Sequence, residues 1–267
     1  MTTTTLTHRP PASSYGIGDG VRSEWTKFMS LRSTRWTLAL FPVTAIAFGM
    51  VIGAATGAHW PHMTAQARTH WDPTNNLLAA LVPGYLLVPV LGVLMMTSEY
   101  GSGSIRSTLA ALPRRPLVLA SKAIVFALVA FVACEAVTLA TFAAGQAVMG
   151  SAPHAHLNQP GVLRALVLSP GFLVLMGLFG LGIGAIVRRS AAAVAVYAGF
   201  AVVVPPILSA LPGRLWKFGP IIIMGNSVGA VKIMPGFLSP WAGFGVMAAY
   251  AALALGAGAF LLAARDA

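Results

Sequence analysis

Six runs of mainly apolar residues alternate with short polar stretches along this chain, at about Trp36 to Thr56, Leu77 to Met96, Ala123 to Ala147, Gly171 to Val187, Ala191 to Leu211 and Trp241 to Ala264. An α-helix rises about 1.5 Å per residue, so roughly 20 residues cross the hydrocarbon of a bilayer. Each run is predicted to be one spanning helix. Backbone polar groups in lipid must be satisfied within the segment itself, which leaves an all-α integral membrane protein with six transmembrane helices as the expected fold.

The stretches between the runs carry patterns of their own. "SEWTKFMSLRSTRW" has helical periodicity with Ser23 as N-cap; at 100° per residue Trp25, Phe28, Met29 and Trp36 share one face, and Lys27, Ser30 and Thr34 lie opposite. That predicts an N-terminal interfacial helix along the membrane surface. Between the second and third runs, Gly101 and Gly103 interrupt the helix, and Ile105, Leu109 and Leu112 recur on one side of two turns that Pro113 ends. So short a helix is marginal in water alone. Its apolar stripe either docks in a groove on a soluble partner, with Arg106, Arg114 and Arg115 available for acidic groups there, or belongs to a solvated loop in which the spacing is chance. Before the sixth run, "PGRLWKFGPIIIMGNSVGAVKIMPGFLSP" is apolar but broken by Pro and Gly, which predicts short extracellular re-entrant helices.

Composition agrees: 57% of the 267 residues are hydrophobic, 9% are charged and the mean hydropathy is +0.79, which excludes a soluble domain. The net charge of +11 does not form a nucleic-acid-binding face, because the basic residues fall in small clusters between the runs. Twelve of the 17 stand on the side of the two termini and five on the other, so by the positive-inside rule both termini are expected in the cytoplasm. Thirteen arginines against four lysines in an alanine-rich chain suggest a bacterium with a GC-rich genome, hence a bacterial plasma membrane. Residues 1–22 are polar and read as a disordered cytoplasmic tail, and residues 23–267 as one domain. The single cysteine, Cys134, allows no disulfide framework or thiolate metal site. No G-x-x-x-x-G-K-[ST] phosphate loop occurs.

The segment "EYGSGSIRSTLAALPRRPLVLASK", Glu99 to Lys122, resembles the cytoplasmic loop after the second span of ABC-2 type permeases, the transmembrane subunits of ATP-binding-cassette exporters. "GLGIGAIVRRSAAAV", Gly180 to Val194, resembles that family's Gly-rich fourth span, and the stretch from Leu238 to Ala267 resembles its last span. The resemblance runs from about Ser23 to the C-terminus and is weakest in the outer segments. It implies that the loop holds a cytoplasmic coupling helix between spans 2 and 3, with Glu99, Tyr100, Gly103, Ile105, Arg106 and Leu109 in the ATPase contact. It also implies two permease copies, expected as a homodimer, two separate ATPase subunits that carry ATP and Mg, and no cofactor in this chain.

Glu135 is the only charged residue inside an apolar run and sits at its middle. A charge there costs about 2.5–3.5 kcal/mol on insertion scales, so Glu135 is expected to face the protein interior, to be protonated or to meet a partner such as Thr138. It is a candidate for the substrate path or a gate. It also supports an alternative function, an ion-coupled secondary transporter. Pro205 and Pro206 are expected to kink or break the fifth span, either as a hinge beside the path or as its end. Gly180 and Gly184 form a small-x-x-x-small packing face. Five histidines, His59, His62, His70, His154 and His156, lie in the outer segments with spacings that match no metal-ligand pattern, and Trp60, Trp71, Trp216 and Trp241 read as interfacial anchors.

Overall fold

A computed structural model describes residues 17–111 and 115–264. Leu112, Pro113, Arg114 and residues 1–16 of the expected tail lie outside the described residues. The chain begins with α1 (Ile17–Ser30), six residues before the expected start at Ser23, and turns at Leu31 into α2 (Arg32–His59). α3 (Ala65–His70) and α4 (Pro73–Leu78) follow, then α5 (Gly84–Ser102), α6 (Ile105–Ala111), α7 (Arg115–Ala147), α8 (Val162–Val187) and α9 (Ser190–Ala210). The short α10 (Pro220–Ile223) runs into a π-turn before α11 (Pro240–Ala264). Six helical stretches, Arg32–His62, Pro73–Ser102, Arg115–Ala147, Val162–Val187, Ser190–Ala210 and Pro240–Ala264, are long and apolar enough to cross a membrane.

Several of these start earlier than the apolar runs do, because a helix continues into polar residues wherever its backbone bonds are still made. α7 begins at Arg115, ahead of the expected Ala123, and α8 at Val162, ahead of the expected Gly171. Pro170 lies inside α8, and α9 runs without interruption through Pro205 and Pro206, where a break was an expectation. Gly101 is likewise still helical, and the turn falls at Gly103, whose φ of +72° is the left-handed conformation that glycine adopts without a Cβ clash.

α8 forms the centre of the bundle, packed on α5, α7, α9 and α11, while α2 packs mainly on α7. Its glycines explain its position. A Cβ at Gly180 would overlap the Pro89 carbonyl of α5, and one at Gly182 would come within 2.6 Å of the Ala254 backbone in α11. Small residues at these crossings let the backbones meet, the use expected of the glycine-rich span. α9 is the least covered of the six: only Ala193 and Tyr197 are buried, and Tyr197 hydroxyl donates to the Tyr85 carbonyl. Val43, Val51, Val202, Leu253 and Phe260 all point out of the bundle, as a surface in contact with lipid requires.

Candidate functional site

The common aromatic face expected before the first span does not form. Leu31 is extended, with ψ of 129°, so the helical count from Trp25 does not carry over to Trp36. Trp25 and Trp36 are exposed, Met29 is half-buried, and Phe28 is buried with its ring edge-on to Phe126 at 6.1 Å. Thr34, expected on the polar side, is buried as well. The inward face of α1 holds Gly20, Glu24 and Phe28.

Glu24 on that face enters a cluster of four charged side chains. Lys122, in the first turns of α7, is 1% exposed and donates to Glu24 Oε2 at 2.6 Å and Glu99 Oε1 at 2.7 Å. Lys27 donates to Glu24 Oε1 and Glu99 Oε1, both at 3.0 Å, and to Thr108 Oγ1 of α6 at 2.9 Å. Two carboxylates and two ammonium groups thus join α1, α5, α6 and α7 at one end of the bundle. Partial burial opposes the Lys27 charge, but the bonds and attraction of Glu99 and Glu24 outweigh it and hold the ammonium above its ordinary value of 10.5.

The residues expected on a partner's surface divide between two faces. Glu99 is 7% exposed, and Ile105, at 3%, belongs to the bundle's own core with Tyr100 and Leu109 packed against that core. The stripe expected to dock on a partner is covered in part within this chain, and Leu112 lies outside the described residues. Its first residue is consumed inside this chain, because α6 sits on α5 and α7 and makes the burial its length requires there. Outward from the same segment point Gly101, Ser102, Gly103, Ser104, Arg106 and Ser107. At the same end Arg115 and Arg188 donate to the Leu262 and Leu261 carbonyls near the end of α11, and the Arg188 guanidinium lies 5.3 Å from the Tyr100 ring centre. Cations on terminal carbonyls offset the partial negative charge of a helix C-terminus.

Glu135 stands apart. Leu128, Phe131, Val132 and Leu139 around it on α7 are exposed, and Glu135 is half-buried at the border of that side. One carboxyl oxygen, Oε2, is buried without a hydrogen-bond partner. Thr138 does not meet it, since its hydroxyl donates to the Cys134 carbonyl at 2.7 Å.

The opposite end is held by Asp72. Its Oδ1 accepts from Thr74 and Asn75 N–H at the start of α4, and its Oδ2 accepts from Val231 and Lys232 N–H at 2.7 and 3.1 Å. That one carboxylate fastens the segment before α11 to the segment before α5, so the apolar stretch 212–240 folds against the bundle, with Pro220, Ile223, Met224, Ser227 and Val228 buried. His59 and His154 approach backbone carbonyls, and among the described residues no group of His, Cys, Asp and Glu has the makings of a metal site. The Trp60 and Trp71 rings meet at a tilt of 50° with centres 5.0 Å apart.

Sequence reasoning missed the cluster's composition. The resemblance implied a partner contact for Glu99, and helical periodicity put Lys27 opposite the aromatic residues. Neither a protein-family model nor a curated protein matches this chain.

Proposed function

We propose that this chain is the membrane-embedded permease subunit of an ATP-driven exporter that moves an amphipathic substrate, of the antibiotic, peptide or lipid kind, out of the cytoplasm or inner leaflet. In this reading it carries out no covalent chemistry. Two copies assemble with two ATPase subunits that hold ATP and Mg, in a bacterial plasma membrane with both termini cytoplasmic, and α1 is the interfacial and α6 the coupling helix.

The observation that carries the reading is the mechanical connection of α6. Its outward face, Arg106 and Ser107, is exposed at the charged end, while its inward face is tied through Thr108 to Lys27 and from there to Glu24, Glu99 and Lys122. A push on that exposed face therefore reaches α1, α5 and α7 through one rigid polar joint, which suits a transition between two packed arrangements. The test is co-purification with an ATPase encoded beside this chain. Arg106→Glu is expected to abolish it while the permease inserts and elutes normally; retained assembly of that variant overturns the docking face. Ile105→Asp does not serve, because it places a carboxylate in the core.

Glu135 supports the second reading, an ion-coupled carrier, through its one unpartnered buried oxygen. Substrate movement that follows an imposed proton gradient without ATP, and stops in Glu135→Gln, would favour that reading over the first.

A further inference from the structure

At the end of the bundle held by Asp72, an open-sided cavity of about 210 Å³ lies between α4, the π-turn and the start of the segment that leads to α11. Most of the residues around it are polar. Asn75 and Asn76 line it from α4, Asn226 from the π-turn, and Trp71, Asp72 and Lys232 from the two segments that the Asp72 carboxylate joins.

These polar groups are unevenly used. Asp72 is spent, since each of its oxygens accepts two backbone N–H groups. Lys232 donates to the Thr69 and Trp71 carbonyls, which fixes its ammonium and leaves one hydrogen over. Asn76 gives one N–H to Thr56. Asn75 and Asn226 are half-buried, and among the described residues neither side-chain amide has a hydrogen-bond partner. No nitrogen or oxygen of either amide is closed off from solvent. Each therefore keeps two donors and an acceptor for what enters the space it lines.

We propose that this cavity binds one uncharged ring bearing several hydroxyls, a single sugar unit, with Asn75 and Asn226 exchanging hydrogen bonds with the hydroxyls, Lys232 donating to a further oxygen, and Trp71 and Met234 meeting the C–H face. Size, charge and wall chemistry select the class. The cavity is smaller than the roughly 300–1,000 Å³ of sites for drug-sized ligands, so one small ring fills it. Counting His70 as neutral at pH 7, the charged groups of the wall are Asp72 and Lys232, so an anion is opposed by the one and a cation by the other. Amides donate and accept, and so do hydroxyls, whereas a carboxylate only accepts and an ammonium only donates. The ring belongs to a free saccharide or to the headgroup of a lipid. Binding here does not rest on the exporter reading.

Saturation-transfer difference NMR on the full chain in lipid nanodiscs, with empty nanodiscs as the blank, tests this with methyl glucoside, methyl galactoside and methyl mannoside. Transfer to the ring protons of at least one glycoside is expected, and none to oxane, the same ring without hydroxyls. Asn75→Leu and Asn226→Leu nearly keep the side-chain volume and give up no side-chain hydrogen bond of the fold, so each should elute as the native protein does and weaken binding by about fivefold or more. Should either variant aggregate, competition on the native protein decides alone. The octyl form of the glycoside that binds, added below its solubilising concentration, separates the two sources: displacement at a far lower concentration than the methyl form identifies a lipid headgroup, equal displacement a free saccharide, and either accords with the proposal. Absence of transfer to all three glycosides, equal transfer to oxane, or unchanged binding in both asparagine variants means a hydrated cavity only and overturns it. Stronger displacement by sodium phosphate or choline chloride than by further glycoside overturns the uncharged class.

Discussion

Replacing Lys122 by Met should be the most costly single change at the charged end. The Met side chain matches the Lys stem in volume, so packing is nearly kept and the loss is electrostatic. Lys122 is 1% exposed and its two charged hydrogen bonds, 2.6 and 2.7 Å, are the shortest in the cluster. Without it, Glu24 and Glu99, 2% and 7% exposed, share only Lys27, so one buried negative charge is left without compensation. Removing one member of a buried pair typically costs about 3–5 kcal/mol, which at about 1.4 kcal/mol per decade is a shift of roughly a hundred- to several-thousand-fold in the unfolding equilibrium. Lys27→Met should cost less, because its side chain is 39% exposed and water can reach the place it leaves. Lys122→Met combined with Glu99→Gln restores the balance of one carboxylate to one ammonium, and the double variant should regain at least half of the single variant's loss. Equilibrium unfolding in mixed micelles of increasing SDS fraction, followed by far-UV circular dichroism, measures the native protein, Lys122→Met, Lys27→Met, Glu99→Gln and the double variant. A Lys122→Met loss below about 1 kcal/mol, or a double variant whose loss is the plain sum of the two singles, refutes the coupling of these charges.

Gly180→Leu should prevent a stable fold or cost at least about 3 kcal/mol, since its Cβ would overlap the Pro89 carbonyl and backbone cannot give way as a flexible side chain does; monodisperse elution in mild detergent checks this. Asp72→Ala removes acceptors from four backbone N–H groups and should cost about 2 kcal/mol or more while raising protease cleavage within 212–240, measured by mass spectrometry of limited digests. The Lys27 contribution has a defined pH range: its folded value lies above the ordinary 10.5, so the stabilisation is full below that pH and is lost as pH rises through the raised value. Melting temperatures of the native protein and Lys27→Met should therefore differ by a constant amount from about pH 7 to 10 and converge only above that.

The six long helices were legible because hydropathy over some 20 residues is a local property, readable without knowing what packs on what. Their true starts were not, since Arg115 and Val162 are joined to the spans by backbone bonds that polarity does not report. The same distinction separates the two charged ends from the midplane. Glu24 and Lys122 are 98 residues apart in the chain, and no period links them. Yet a trace of the cluster was present: with six acidic residues and four lysines in all, two of each converge on a single joint. Two of the four lysines stand in this joint, where each compact ammonium reaches both carboxylates. The opposite lesson comes from α6. Its periodicity put Ile105 and Leu109 on one face, but period alone says that a face will be covered and not which molecule covers it. Ile105 turns inward onto α5 and α7, so the segment's contact with any partner falls to Arg106, Ser107 and the Gly101–Ser104 turn. On the proposed reading, a polar outer face on a helix whose inner face is anchored to three others would pass a push to them without leaving the bundle.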